Sequence, residues 1–123
     1  MSMQEKAIQQ FHREAPEVAA AFDGLVQALI HSQGLDEKTK QLIIIALRAG
    51  RGEAVAIRHH VPVARQLGAT RDEIKDAVLL SLMTSGFKDT INCLGAALDA
   101  YDENVPAAPR QPVIPEGMEM PKY

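Results

Sequence analysis

The sequence predicts an all-α fold: a compact bundle of five to six helices, oligomeric, trailed by an extended Pro-rich C-terminal arm. Three observations carry this expectation. Apolar residues recur at i, i+3 and i+4 along most of the chain, and no segment alternates as a strand would. The composition is 46% hydrophobic but only 4% aromatic with no Trp, so the core must be aliphatic, which suits closely packed helices. Residues that start and stop helices also fall at the edges of the periodic segments.

Each element follows from these signals. A leading helix over roughly 3–12 runs through Ala7, Ile8 and Phe11. The next opens at Pro16, stops by Gly34, and repeats Val18, Phe22, Leu25, Val26, Leu29 and Ile30 on one apolar face. Asp36 is the natural N-cap of a third helix, with Glu37 at the positive end of its dipole. Its middle, "LIIIAL", is apolar all the way round; such a helix must be buried on every side, in the core or against another subunit. A fourth helix spans about 53–67 and stops at Gly68. Thr70 and Glu73 then form a capping box before a buried face of Ile74, Ala77, Val78, Ser81 and Leu82. The last helix, "KDTINCLGAALDAYDE", ends near Glu103, and its internal Gly95 costs about 1 kcal/mol against Ala unless another backbone passes close by. These segments make residues 1–104 the helical domain. Residues 105–123 form an arm in which Pro106, Pro109, Pro112 and Pro115 stand three apart, the polyproline II repeat.

Composition also excludes functions. The 13 Lys and Arg residues are scattered and the formal net charge is −3, so nothing supports binding to nucleic acid. The longest apolar run is too short for a membrane span, and the polar "MSMQEKAIQQFHRE" does not read as a signal peptide. The single cysteine, Cys93, rules out an internal disulfide, and a reducing cytoplasm is expected. A 123-residue chain folds without a metal, and none is expected, nor any cofactor.

The chemistry concentrates in "GRGEAVAIRHHVPVARQLGATRDEI", residues 50–74. On a helix His59 and His60 diverge by about 100°, so the pair cannot converge on one metal. His60 shares a face with Glu53, Ala56 and Ala64. Pro62 cannot donate to the carbonyl of Arg58, so the helix either kinks just after His60 or restarts at Pro62. Cys93 has no basic neighbour in sequence to activate it and reads as a buried, inert thiol.

The order of segments resembles the carboxymuconolactone decarboxylase and alkyl hydroperoxidase D-like family. "APEVAAAF" is similar to that family's opening helix and "GLDEKTKQLIIIAL" to its next segment. "HVPVARQLGATRDEIKDAV" follows its signature through His60, Ala64, Gly68, Ala69, Thr70, Glu73 and Ile74, and "SGFKDTINCLGAAL" looks like its last core helix. The resemblance implies a helical bundle that assembles into trimers or hexamers. The family's redox branch carries C-x-x-C-x-x-x-H with an upstream glutamate. Matched on His60, the cysteine positions fall on Glu53 and Ala56 and the glutamate on Gln41, so this is a member with a degenerate CxxC. Without paired thiols no internal disulfide can cycle.

The resemblance therefore implies a decarboxylase-like lyase ahead of a peroxidase or disulfide reductase. His60 would carry the proton, oriented by Glu53 or Gln41, with Arg58 or Arg48 holding an anionic substrate such as a carboxylated lactone. The alternative is a non-catalytic oligomeric binding or scaffold protein. A thiol peroxidase would need Cys93 beside His60.

Overall fold

Ala15 precedes a proline and so leaves the helical region, with φ −138° and ψ 63°; the chain stops one helix there and starts the next. The computed structural model describes residues 3–107. Among them α1 (Met3–Glu14), α2 (Pro16–His31), α3 (Glu37–Gly50), α4 (Ala54–Gln66), α5 (Arg71–Leu80) and α6 (Phe87–Glu103) are the helices, with a 3-10 turn at Ser81–Met83. The described residues form an all-helical fold and contain no strand. They fall into two compact units, α1–α2 and everything from Gly34 onward.

In the first unit, Phe11 of α1 meets Phe22 of α2 edge-on, with ring centroids 6.3 Å apart. Ala19 and Asp23 make α2's buried face, while Val18, Phe22, Leu25 and Leu29 stay exposed. Val26 and Ile30, from the same apolar stripe, are half-buried. His12 closes the unit. Its Nδ1 lies 2.7 Å from the Ile8 carbonyl oxygen and its Nε2 2.9 Å from the buried Asp23 carboxylate. Both partners accept, so both ring nitrogens donate and the geometry selects the imidazolium. The Ile8 carbonyl and then Asp23 raise the pKa of His12 above its ordinary value, against the opposing effect of burial.

A histidine raised in the fold contributes stability in full below its ordinary midpoint near pH 6.5, and loses it as pH rises through the elevated one. The Cα chemical shifts of α1 should therefore move toward coil as pH rises from 6.5 through the raised midpoint, while α4–α6 hold. His12→Gln should abolish the transition; an unchanged transition in that variant would assign it to another group.

In the second unit α3, α4, α5 and α6 enclose one core. Ile45, Ile57, Val61, Ile74, Val78 and Cys93 are its largest apolar members, all fully buried. Asp36 caps α3 by accepting from Thr39 N–H at 2.7 Å, which holds the Asp36 carboxyl below the usual range. The capping box of α5 is complete: Thr70 Oγ1 accepts from Glu73 N–H and Glu73 Oε1 from Thr70 N–H. The α3–α4 joint needs its glycines. Gly52 has φ +70°, and a Cβ on Gly50 would come within 2.8 Å of Ser85 Oγ, which donates to the Gly50 carbonyl.

Within one chain the α3 middle buries a single face: Gln41, Ile45 and Ala49 face inward, and Ile43 and Leu47 stay 43% and 63% exposed, so covering the rest would take a second copy. Two expectations change. Pro62 neither ends α4 nor begins a new helix; α4 runs through it from Ala54 to Gln66. Leu82 does not continue the buried face of α5, because the chain tightens into the 3-10 turn and swings it outward. At Gly95 nothing in this chain lies within 4 Å of where a Cβ would stand. The proline repeat beyond Pro106 lies outside the described residues.

Candidate functional site

α3 and α4 run antiparallel, so positions near the start of one face positions near the end of the other. Gln41 therefore meets His60 at one end of the seam, and Arg48 meets Glu53 at the other. Between these pairs along the two helices, Ile45 of α3 and Ala56 and Ile57 of α4 are buried.

At the first end, His60 Nδ1 lies 3.2 Å from Gln41 Oε1. The carboxamide oxygen accepts, so Nδ1 carries the hydrogen, and in the neutral ring the lone pair is then on Nε2. His60 is half-buried while Gln41 is 6% exposed, which fixes the orienting group more firmly than the ring it orients. No buried side-chain nitrogen or oxygen among the described residues lacks a hydrogen-bond partner.

At the other end, Glu53 accepts from Arg48 Nη1 at 2.6 Å and pairs with Arg51 Nε at 2.9 Å. Glu53 and His60 are seven residues apart, about 10 Å along the helix, so the carboxylate is engaged with two arginines rather than with the imidazole. The structure thus joins His60 to Gln41 and Arg48 to Glu53 as two separate pairs. Arg58 belongs to neither. Two positions before His60, it points about 160° away around α4 and reaches Glu103 of α6 at 3.5 Å.

Cys93 has a different fate. It is fully buried on α6 within the core cluster of Ile45, Ile57 and Val61. Burial, and secondarily the charges of Asp89 and Glu53, push its thiol pKa up, the reverse of what a reactive cysteine needs. Among the described residues no group of three or more His, Cys, Asp and Glu side chains could hold a metal, and no helix is long and apolar enough to cross a membrane.

Sequence reasoning found no role for His59 or Glu103. The exposed His59 and Glu103 both border a cavity of about 290 Å³ between α4 and the end of α6. The signal was present in the i, i+1, i+4 spacing of Arg58, His59 and Pro62, which places them on one side of α4.

The model of the carboxymuconolactone decarboxylase family matches residues 16–99, well over half of the chain. The chain belongs to the carboxymuconolactone decarboxylase family. A carboxymuconolactone decarboxylase family protein from Legionella pneumophila, solved in its apo form, superposes with a TM-score of 0.72 at 29% identity, covering 82% of this chain and 89% of that one. Two uncharacterized proteins from Methanocaldococcus jannaschii are also similar. MJ1511 is 26% identical over 94 residues, covering 76% of this chain and 88% of its own length. MJ0742 is 43% identical over 53 residues, 42% of this chain and 51% of its own. The family match spans Gln41, Arg48, Glu53, Arg58 and His60 but stops short of Glu103 and leaves α1 outside.

Proposed function

We propose that this family member is a small-molecule acid–base enzyme of the decarboxylase-like lyase type, in which His60 carries the proton. The hydrogen bond from His60 Nδ1 to the buried Gln41 carboxamide supports this reading, because it directs the ring's lone pair to Nε2. In a decarboxylation the bond to the departing CO₂ breaks and its electron pair stays on the substrate. A proton must then reach that carbon or its conjugated partner. An imidazole, which as a residue type titrates near neutral pH, can deliver and recover it. The substrate class is a small anion such as a carboxylated lactone. Of the two arginines expected to hold that anion, Arg48 lies on this seam, at its opposite end from His60 and paired with Glu53. Arg58 is turned away from His60 and is not part of this site.

Screening carboxylated lactones for CO₂ release by the wild-type protein and by His60→Ala tests the reading. Turnover that is equal in the two proteins would remove His60 from the mechanism.

A second reading, a non-catalytic binding or scaffold protein that assembles with copies of itself, draws support from the exposed Ile43 and Leu47 of α3. Assembly into a trimer or hexamer is compatible with either reading. Family-type peroxidase or disulfide reductase activity is disfavoured, since Glu53 and Ala56 stand where a thiol pair would be and Cys93 is enclosed in the core.

A further inference from the structure

The cavity beside α4 brings together side chains that the His60 seam does not use. Its walls are mostly apolar, supplied by Pro62, Ala100, Val105 and Pro106, and two nitrogen-bearing side chains, Arg58 and His59, stand at its edge. Near 290 Å³ it lies at the lower limit for ligand pockets and has room for about ten water-sized groups.

Arg58 differs from the other described arginines of its unit. Arg48 and Arg51 grip Glu53, Arg65 donates to the Tyr101 carbonyl, and Arg71 forms a two-pronged bond to Asp102. Arg58 has one ion contact, to Glu103 at 3.5 Å, and no side-chain hydrogen bond among the described residues. Both members of that contact are about half exposed, 47% and 54%, so solvent screens it and exchange costs little. A guanidinium presents a planar fork of donors matched to a carboxylate. Arg65 already engages the carbonyl end of α6 at Tyr101, which offsets the negative pole of that helix next to the cavity.

We propose that this cavity binds a small carboxylate with a short apolar body, its head on Arg58 with His59 alongside and its body against Pro62, Val105 and Pro106. Glu103 competes for the same guanidinium and acts as the gate that the ligand displaces. The site is independent of the His60 reading, because Arg58 and His60 lie on opposite sides of α4. It also extends past residue 99, where the family match ends, through Ala100, Glu103, Val105 and Pro106.

Titrating the full chain with benzoate and isovalerate, followed by amide NMR shifts, tests the proposal. Shifts should centre on Arg58, His59, Ala100, Glu103 and Val105, and should persist in His60→Ala. Uncharged benzamide and cationic benzylamine should give none there. Arg58→Gln should weaken binding about tenfold or more, as loss of a charge-assisted carboxylate pair requires. Glu103→Gln should strengthen it by removing the competitor. Both residues are well exposed, so neither change threatens the fold. Absent shifts, shifts centred on Gln41 and His60, equal affinity in Arg58→Gln, or weaker binding in Glu103→Gln would each overturn the proposal.

Discussion

His60→Ala should lower turnover about 100- to 10,000-fold, the range lost when a positioned acid–base group is removed. Gln41→Leu offers the finer test. It keeps the volume of a buried side chain but deletes the acceptor that fixes the His60 tautomer. The expected loss is about tenfold in kcat with KM little changed, since one neutral hydrogen bond is removed and no substrate contact is touched. Nitrogen-15 shifts of His60 should move from a single Nδ1–H tautomer toward a mixture. Gln41→Glu should retain the tautomer, place a carboxylate against Nδ1–H, and favour the imidazolium, shifting the pH–rate profile to higher pH. A Gln41→Leu protein with unchanged tautomer and rate would show that the pair is merely packing. Activity lost in Cys93→Ser but kept in His60→Ala would move the chemistry to the thiol, despite its burial.

How much of this was legible in the sequence differs between the fold and the site. Local signals carried the elements. Asp36 and the Thr70–Glu73 box cap the helices they were expected to cap, because capping depends on residues within one turn. Faces were harder. Val18, Phe22, Leu25 and Leu29 form a clear stripe, yet α2 buries Ala19 and Asp23 instead. Periodicity shows that an apolar face exists, not which surface covers it. The charged Asp23 is buried because His12, eleven residues away, supplies a partner, and no spacing rule anticipates that.

The site shows the same division. His60 and Gln41 were singled out by family resemblance, and a 3.2 Å hydrogen bond joins them. Glu53 and Arg48 were also singled out but pair with each other, since an antiparallel hairpin sets Glu53 against the end of α3. Helical spacing set Glu53 on the face of His60, but Glu53 stands at the N-cap of α4 outside the regular helix, and spacing could not register the competing arginines. Arg58 was drawn to His60 by proximity in sequence, whereas a 200° rotation over two residues takes it to Glu103.

Ile57→Ala should destabilise the fold by about 2–5 kcal/mol, the cost of truncating a fully buried isoleucine in a core that cannot collapse around the void. Ile57 is completely buried on α4 and belongs to the cluster with Ile45, Val61 and Cys93, so rigid helices border it. Against a typical total of about 5–15 kcal/mol, that loss lowers the urea midpoint markedly. Ile57→Val should cost about 0.5–1.5 kcal/mol, scaling with the smaller void. Ile43→Ala supplies the control, since Ile43 lies on the same hairpin with 43% of its surface open. In a monomer that change should be close to neutral. In an assembly that covers α3 it should cost stability by an amount that depends on protein concentration, because association is linked to folding. Measuring both variants at two concentrations thus separates the core of one chain from a surface shared between chains. A small, concentration-independent loss in Ile57→Ala would mean that the core is not centred where α3, α4 and α6 meet.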